Sequence, residues 1–460
     1  MLRCPGAVAA AALAFVLAGS GPAQAQLGVS LNRAGSGARA AGMANAFVAV
    51  SDDGTAASWN PAGLAQLRKP ELSLVYEVNG HGLQVSGIRS PDDRFAFSNY
   101  GFDDSRASLD FASATVPFTI AGKRVTVQLG WQRLYQLSGG LSAEVSRYPI
   151  GGPDAAPASI LLDSEARGDI DLASFSGAVR VTEHTALGGS LNVWRGRWTD
   201  RVSLVESAGA PSSDFSLVTD GNRVRGHNFT TGLLLTYPSW NLGLVYHSPF
   251  WSSYRLHSEA LSNQAPPSNQ DAGEAARFRF PRSVAGGVAW RPGPRWTVAF
   301  DLTHDQWTDA LVDRLPGVPG PINFFDGAAP AISTTRDTVS LNLGAEHLFL
   351  REGSVVPLRL GLAWEPQGAM DPVTRDPADF LLLSGGGGYN TNRFKFDAAV
   401  QYRWGGVRAS EVLSVGSAIA GGLTRDAIGQ ARGREWRIKV SVIYRIQDTD
   451  KLRDLLRKVF

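Results

Sequence analysis

The sequence predicts an all-β protein, a transmembrane antiparallel β-barrel of about fourteen strands with an N-terminal plug inside its lumen. Three observations lead to this prediction. From Glu71 onward, apolar and polar residues alternate repeatedly with a period of two. The links between the predicted strands are alternately short and long, as is typical of outer-membrane barrels. A stretch rich in small residues, 26–69, precedes the first strand and has the size to fill a wide lumen.

The first 25 residues have the pattern of a secretory signal peptide. Arg3 is followed by an apolar run over 7–18 and by an Ala-x-Ala sequence, which predicts cleavage after Ala25. A transmembrane anchor is the alternative, but the apolar run is too short to span a bilayer comfortably. The only cysteine, Cys4, lies in this segment, so disulfides and thiolate chemistry are excluded for the mature chain. The near-neutral formal charge of +2 gives no reason to expect nucleic acid as a partner.

Residues 26–69 are predicted to form the plug, or hatch. They lack sustained alternation, and their many glycines and alanines allow close packing, while several apolar side chains supply surface to bury. A disordered periplasmic tail is the alternative. Pro61 fixes φ and removes a backbone donor, so the turn around it should hold one shape and control passage. The predicted plug and gate residues are Phe47, Asp52, Asp53, Trp59, Asn60, Pro61 and Ala62.

The alternating segments have one apolar face that ends in aromatic residues and one polar face that is often charged. A soluble β-sandwich also buries an apolar face, but aromatic ends suit the two interfaces of a membrane, and ionisable residues suit a wet lumen. This register places Val298 and Val400 outside and Ala299 and Ala399 inside. The predicted strands are 71–78, 106–117, 123–136, 169–182, 185–199, 223–237, 239–248, 276–291, 294–305, 336–348, 356–366, 380–390, 393–405 and 435–446.

The links sort into two sets that should lie at opposite ends of the barrel. Every second link is short, whereas the links between them include 137–168, 306–335 and 406–434. Short turns on the periplasmic side and long loops outside are the arrangement of outer-membrane barrels, so both chain ends should lie in the periplasm. Segment 79–105 contains two further strand-like runs, which would either form an extracellular hairpin or extend the first two strands.

The last residues have a different pattern from the strands. In 449–460, leucine and valine recur at helical spacing after a threonine that can cap a helix. The prediction is a short amphipathic periplasmic tail, with a frayed end as the alternative. The predicted organisation is therefore a signal peptide at 1–25, a plug at 26–69, a transmembrane β-barrel at 70–448 and the tail at 449–460.

Several motifs follow one another in the order found in one family of barrels. They are Arg39-Ala40-Ala41-Gly42, Asp52-Asp53, Asn60-Pro61-Ala62, 240–249, 280–289, 296–301, 371–377 and 381–389. In this order they resemble the long-chain fatty acid transporter family of the outer membrane, the FadL-like transporters. The resemblance covers nearly all of the mature chain. It implies capture of hydrophobic molecules at extracellular loops, passage through a plugged barrel, and plug-gated release that can be lateral, through a gap beside a kinked strand.

Two further predictions concern residues of the barrel wall. Gly130 is the candidate for the kink, because glycine weakens a strand interior, with a plain barrel glycine as the alternative. Arg359, Lys395, Arg437 and Lys439 face inward by parity and could bind the carboxylate of a ligand. The alternative is that these four cations pair with lumen carboxylates and hold the plug. The carboxylates concerned are Asp301, Glu346 and Asp397.

No catalytic constellation is evident in the sequence. Its seven histidines have neither zinc-ligand nor Ser-His spacing, and Asp52-Asp53 fits an Asx turn or a solvated pair better than a cation site. The prediction is a monomeric transporter, not an enzyme, without cofactor or metal. Its partners would be a hydrophobic small molecule, outer-membrane lipid and lipopolysaccharide, and the barrel assembly machinery. A general porin, an accessory barrel of a secretion system and an outer-membrane lipase remain as alternatives.

Overall fold

The computed structural model describes most of the chain between the signal peptide and the last strand. The predicted signal peptide, the first residues of the predicted plug, the motif at 371–376 and the predicted tail helix at 449–460 lie outside the described residues. The described residues are 32–89, 95–97, 100–147, 158–207, 213–262, 265–271, 276–314, 318–370, 377–409 and 428–447. No helix within these ranges is long and apolar enough to cross a membrane.

The strands form one antiparallel sheet that closes on itself. Their bounds are β1 Glu71–Arg89, β2 Phe95–Phe97, β3 Tyr100–Ile120, β4 Lys123–Arg147, β5 Ala158–Arg180, β6 Thr185–Ser207, β7 Ser213–Thr236, β8 Trp240–His247, β9 Phe250–Ser262, β10 Ala265–Asp271, β11 Arg277–Phe280, β12 Ser283–Gly293, β13 Trp296–Asp305, β14 Leu311–Asp313, β15 Ile322–Asn323, β16 Thr338–Arg351, β17 Ser354–Met370, β18 Pro377–Asn390, β19 Phe394–Ala409 and β20 Ile428–Arg445.

The predicted fold class is confirmed. The first strand, β1, pairs with the last, β20, and closes the ring. Three of the strands around the ring are each built from two segments, because β9 continues β8, β12 continues β11 and β14 continues β13. With these joined, and with the short β2, β10 and β15 lying outside the ring, the barrel has fourteen strands.

The alternation of residue types decides which side chains face outward. In the described strands, Val400 is 53% exposed whereas the adjacent Ala399 is 3% exposed, and Ala299 is fully buried next to a half-buried Val298. Because neighbouring side chains on a strand point to opposite faces, a shift of one residue would have inverted every assignment. The predicted register is therefore confirmed at both pairs.

Tight turns lie at one end of the barrel and long connections at the other. In the turn after β3, Ala121 and Gly122 both have positive φ, 50° and 76°, the backbone of a two-residue hairpin turn. At the other end the strands continue far beyond the predicted bounds, since β4 alone has 25 residues. Of the two alternatives for 79–105, extension of the first two strands is correct, because β1 reaches Arg89 and β3 starts at Tyr100.

The wall is interrupted between β3 and β4. Among the described residues, the ladder between these strands ends at Phe111 and Gln132, and beyond it β3 pairs with β1 while β4 pairs with β5 and briefly with β2. Asp110 is an extra residue in the β1–β3 ladder, and Leu134 is an extra residue in the β4–β5 ladder. Such bulges bend a strand and end its pairing.

The kink predicted at Gly130 is not found there, and this corrects the prediction. Gly130 pairs regularly with Ser113 on one side and with Ser174 on the other. The irregularity begins a few residues later, at Leu134. Glycine permits a bend but does not cause one, whereas the extra residue at position 134 takes the strand out of register with its neighbour.

Candidate functional site

The N-terminal segment 34–67 lies inside the ring of strands. It contains a short helix, α1 (Ala38–Gly42), and two 3₁₀ turns at Ala56–Ser58 and Pro61–Gln66. Most of its side chains are buried. Its backbone bonds to inward-facing residues on several strands: the Asp301 carboxylate accepts from the Phe47 and Val48 amides at 2.6 and 2.8 Å. Further contacts of this kind involve Ser113, Gln128, Asn241, Asn342, Ser384 and Gln401.

Small residues allow the segment to approach the wall. A side chain built on Gly42 would lie 3.2 Å from the Gly386 backbone, so α1 packs directly on β18 without bulk between them. Ala44 and Asn45 then adopt left-handed conformations, with φ of 49° and 66°, which turn the chain back across the lumen. An alanine in this region is strained and persists only where its surroundings fix it.

Asn60 joins the segment to the barrel. Its side-chain oxygen accepts from the Ala62 amide at 3.0 Å, and its amide nitrogen donates to the carbonyls of Val48 and Leu233, both at 3.1 Å. Leu233 belongs to β7, so one buried side chain holds two parts of the segment and one strand. Pro61 occupies the first position of the 3₁₀ turn, where its missing N–H costs nothing.

Phe47 and Trp59 form the apolar centre of the segment. Their rings meet edge to face with centroids 6.0 Å apart, and Trp59 donates its indole N–H to the Ser36 carbonyl at 2.7 Å. Met43, Val50 and several alanines, including Ala299 of the wall, complete this cluster. The structure thus brings together Phe47, Trp59, Asn60, Pro61 and Ala62, all of which were predicted from the sequence to belong to the plug.

Asp52 and Asp53 take part in an ion-pair group. Arg39 contacts Asp52, lies 3.8 Å from Asp53 and donates to Glu346 at 2.9 Å. Asp53 also accepts from the Thr55 amide at 2.9 Å and from its hydroxyl at 2.6 Å, which is an Asx turn. Burial raises the pKa of Asp53, but Lys395, Arg39 and the two bonds from Thr55 outweigh burial and hold the pKa below its ordinary value.

The four lumen cations are mostly engaged with carboxylates. Arg359 is fully buried and donates to Glu346 and Asp397, both at 2.7 Å. The other pairs are Lys439 with Glu77 and Asp110 at 2.9 Å each, and Arg437 with Glu435 at 2.6 Å. Lys395 is buried at the short-turn end, where it lines a cavity of about 430 Å³ together with Arg39 and Asp52.

These contacts agree with the alternative prediction, in which the four cations pair with lumen carboxylates and hold the segment, with one correction. Glu346 and Asp397 are ion-pair partners as expected, but Asp301 binds backbone amides of the segment and no described cation. A carboxylate that accepts two amides fixes the chain direction as well as its position, which an ion pair to a flexible lysine would not do.

An aromatic cluster lies in the lumen between the segment and the long-loop end. Its centre is Trp194, whose ring centroid lies 5.0 Å from that of Phe250 and 4.9 Å from that of Phe280, while these two phenylalanines stack at 4.8 Å. Tyr135, Ile170, Leu172, Trp307 and Phe325 are buried in the same cluster. We call these eight residues the aromatic cluster.

Sequence reasoning missed this cluster. Its members come from β4, β5, β6, β9, β11 and the stretch after β13, so no single motif contains them. One signal was present: Trp194 and Leu172 have the inward parity that is elsewhere occupied by polar residues such as Asn192. Leu134 and Tyr135 lie two and three residues beyond Gln132, the last β4 residue that pairs with β3, so the aromatic cluster reaches the interruption in the wall.

Arg33 was also missed, and it lies beside the aromatic cluster. Its guanidinium is 5.1 Å from the Trp194 ring centroid, a cation–π contact. Among the described residues, no carboxylate lies within ion-pair distance of it. Burial lowers the pKa of Arg33, although Tyr135 and Asp305 act in the opposite direction. The apolar surface of the aromatic cluster therefore lies next to a cation that has no carboxylate partner among the described residues.

Two small polar cavities lie below the aromatic cluster. One of about 60 Å³ is lined by Arg33, His247 and Asp305. The other, of about 50 Å³, lies at the wall interruption beside Asp110 and Gln132, and the Ser36 hydroxyl of the segment bonds to Asp110. In the described part of the chain, no group of three or more histidine, cysteine or acidic residues is arranged to hold a metal ion.

Comparison with known proteins identifies the fold. No protein-family model and no curated protein matches the sequence. Among solved structures, a FadL homologue from Pseudomonas aeruginosa is similar at a TM-score of 0.61 with 15% identity, covering 91% of this chain and 99% of that chain. The toluene transporter TodX from P. putida gives 0.59, 14%, 90% and 99%, and the Ralstonia pickettii toluene transporter TbuX gives 0.55, 13%, 90% and 100%. The chain has the fold of these barrels.

Proposed function

We propose that the protein lies in the outer membrane of a bacterium and passes hydrophobic molecules inward across it. The observation that carries this proposal is the aromatic cluster, a buried apolar surface inside a lumen whose other inward-facing residues are largely polar. Two of the similar structures are described as toluene transporters, which agrees with an apolar substrate class. Toluene itself, longer hydrocarbons and fatty acids all fit an apolar surface of this kind.

The outer surface of the barrel supports the membrane location. Side chains such as Leu360 of β17 and Leu191 of β6, 71% and 66% exposed, project outward, and strands around the whole ring expose large apolar side chains in the same way. Apolar surface costs roughly 25 cal/mol per Å² in contact with water, so a continuous belt of this kind favours lipid as its surroundings. The short turns would then face the periplasm, and the extended strands β4 to β7 would project outside the cell.

Segment 34–67 would act as the plug. Its contacts with the wall are numerous, and the two cavities between it and the aromatic cluster are small, about 50 and 60 Å³. The cavity of about 430 Å³ lies on the other side of the segment, at the short-turn end. A general porin requires a continuous aqueous channel, so this filling argues for a gated path. Residues 26–69 as plug, 70–448 as barrel, a monomeric state and insertion by the barrel assembly machinery remain part of the proposal. An accessory role in secretion would not require a buried aromatic cluster.

The routes of capture and release follow from the positions of the aromatic cluster and of the interruption between β3 and β4. A hydrophobic molecule entering between the extended strands would displace water from the aromatic cluster, with Arg33 facing its polar end if it has one. Release would take place through the interruption between β3 and β4, because Leu134 and Tyr135 connect the aromatic cluster to it. Movement of Ser36 away from Asp110 would open the polar cavity on this route.

The test is uptake by cells that depend on this protein for a hydrophobic carbon source. Trp194→Ala combined with Phe250→Ala should reduce the initial uptake rate at least tenfold, because the apolar contact surface is removed. The matched control is Trp296→Ala combined with Trp436→Ala, two tryptophans that face outward. Equal uptake by the cluster variant and the wild type, at equal surface levels, would exclude the aromatic cluster as the binding site.

A further inference from the structure

Four arginines form a compact group on the outer surface of the barrel. In the ladder between β6 and β7, Arg195 pairs directly with Arg225, and Arg197 pairs directly with Arg223. All four side chains are exposed. They have the same parity as Val193, which is exposed on the outer face. We call Arg195, Arg197, Arg223 and Arg225 the arginine quartet.

Placing like charges opposite one another on neighbouring strands destabilises a sheet. Two such pairs occur here in succession, and no ion pair joins any member of the arginine quartet to a carboxylate of the described residues. Their side chains are therefore held about 5 Å apart at Cβ without an anion between them. An arrangement that is unfavourable in the protein alone becomes favourable when an anion of matching shape is bound.

The carboxylates nearest in register are already engaged. On β5, Asp171 is opposite Arg195, and Asp169 is opposite Arg197. Asp171 instead accepts from Arg133 at 3.3 Å, and Asp169 lies 3.3 Å from Arg106. On the other flank, the β7–β9 ladder places Ser253 opposite Arg225 and Arg255 opposite Arg223, which adds no negative charge. Neither flanking strand therefore neutralises the positive charge of the arginine quartet.

The arginine quartet lies at one edge of the apolar belt. Arg195 follows Thr185, the first residue of β6, by ten positions. At about 3.3 Å per residue and a strand tilt of about 40°, this is a height of roughly 25 Å, the thickness of the apolar band of an outer-membrane barrel. Below it, Val193, Leu191 and Phe229 expose apolar surface on the same face.

An aromatic residue marks the same boundary on the next strand. Trp251 of β9 is exposed, and the guanidinium groups of Arg277 and Arg279 lie 4.9 and 5.9 Å from its ring centroid. These two arginines are neutralised by Asp313 and Asp309 at 2.9 and 3.2 Å. They therefore differ from the arginine quartet, whose members have no carboxylate partners among the described residues. Tryptophan at this height is typical of a membrane interface.

We propose that the arginine quartet binds the phosphate groups of an anionic lipid in the outer leaflet of the surrounding membrane. Guanidinium groups bind phosphate oxygens in pairs, and the acyl chains of the lipid would cover Val193, Leu191 and Phe229. The site is on the lipid-facing surface, away from the lumen, so it is separate from the aromatic cluster. It rests on the proposed membrane location and not on the identity of the transported molecule.

The experiment measures lipid bound to the purified full chain in a zwitterionic detergent. Diphosphorylated lipid A is the probe, and retained lipid is counted by native mass spectrometry during titration. The quadruple variant R195Q/R197Q/R223Q/R225Q should bind the probe at least tenfold more weakly, and either double variant that removes one cross-strand pair should be intermediate. Lipid A without phosphates should bind the wild type as weakly as the diphosphorylated probe binds the quadruple variant.

Controls separate this site from general positive charge and from a free anion. Arg167→Gln combined with Arg434→Gln removes two exposed arginines that already contact Glu165 and Asp103, and lipid binding should not change. Inorganic phosphate at the same phosphate concentration should not displace the lipid. Equal binding by wild type and quadruple variant, equal binding of dephosphorylated lipid, or full displacement by inorganic phosphate would each overturn the proposal.

Two further measurements keep the outcome separate from that of the transport proposal. Binding of a hydrophobic ligand in detergent should be equal in the wild type and the quadruple variant, because the aromatic cluster is intact. If neither the wild type nor the quadruple variant binds the hydrophobic ligand, the transport proposal is refuted and the lipid-binding result is unaffected. If the quadruple variant does not fold, as judged by the resistance of the barrel to unfolding by detergent at room temperature, Arg195→Gln against Arg195→Lys provides the same comparison.

Discussion

Replacement of Asn60 by alanine is the most direct test of how segment 34–67 is held. Asn60 is fully buried, and the change removes three hydrogen bonds, to Ala62, Val48 and Leu233. A buried polar group that loses its partner costs about 1–3 kcal/mol. The Leu233 carbonyl belongs to the wall, so we assign the loss mainly to the other two groups. With about 1–3 kcal/mol for each of these two groups, the segment should be destabilised by about 2–6 kcal/mol relative to its opened state.

This loss predicts a large change in the population of the opened segment. Each 1.4 kcal/mol is a factor of ten, so the fraction of molecules with an opened segment should rise roughly 30-fold to 20,000-fold. The barrel itself should remain closed, because the β1–β20 ladder makes no contact with Asn60. The change therefore loosens the segment without unfolding the protein.

Cysteine labelling measures this directly, because the only cysteine of the sequence, Cys4, lies in the predicted signal peptide. Ala56→Cys places a thiol at a fully buried position of the segment, and its rate of reaction with a soluble maleimide reports opening. Asn392→Ala, in an exposed turn, is the control and should leave the rate unchanged. If Asn60→Ala labels at the wild-type rate in folded protein, the three hydrogen bonds do not hold the segment.

Three further outcomes are expected. Arg33→Leu should weaken binding of 4-butylbenzoate about tenfold or more in a fluorescence titration and leave butylbenzene unchanged, because only the carboxylate uses the cation; equal weakening of both would refute that role. The pKa of Asp53 is held below its ordinary value of 3.8, so the contribution of its carboxylate to the stability of segment 34–67 is complete above that pH. This contribution is lost as the pH falls through the lowered pKa. Labelling of the Ala56→Cys protein should accordingly rise only below about pH 4, and the rise should be absent in Asp53→Asn; an unchanged rise would exclude this carboxylate. Val298→Arg should cost roughly 2–4 kcal/mol in urea unfolding from lipid vesicles, against about 0–1 for Trp296→Arg nearer the interface, and equal costs would contradict the assigned height.

The register of the wall was predictable because lipid and lumen impose opposite requirements on adjacent residues. Val400 and Ala399 could be assigned from their neighbours alone, and the short turns fixed the direction of each strand. Strand length was underestimated, since polar residues beyond the apolar belt no longer alternate in hydrophobicity. This is why 79–105 was ambiguous in the sequence although both of its halves continue strands.

The site was less predictable because it depends on contacts between distant parts of the chain. The interruption at Asp110 and Leu134 arises from two bulges on different strands, and a bulge leaves no pattern in a single sequence. The prediction therefore chose Gly130, the nearby residue whose type permits a bend. Trp194 and Trp307 are far apart in sequence and meet only in the closed barrel. Arg33 stands among small residues in the sequence, and only the folded chain shows that its guanidinium contacts the Trp194 ring.

One inward position shows how the structure changes a design drawn from sequence. An arginine at Ala299 would seem a mild control for an arginine at Val298, because a wet lumen tolerates charge. Ala299 instead packs in the same apolar cluster as Phe47 and Met43. An arginine there would displace the segment, so the comparison must use the outward Trp296.

The seam between β1 and β20 has a consequence for the timing of assembly. It joins residues as far apart as Glu71 and Arg445, a separation of 374 positions, whereas every other junction of the ring joins strands that are close in sequence. Neighbouring hairpins can therefore form early and quickly, but the ring cannot close until the last strand has been delivered. Segment 34–67 is made before any strand, so it is present throughout, and the wall can be completed around it and need not admit it afterwards.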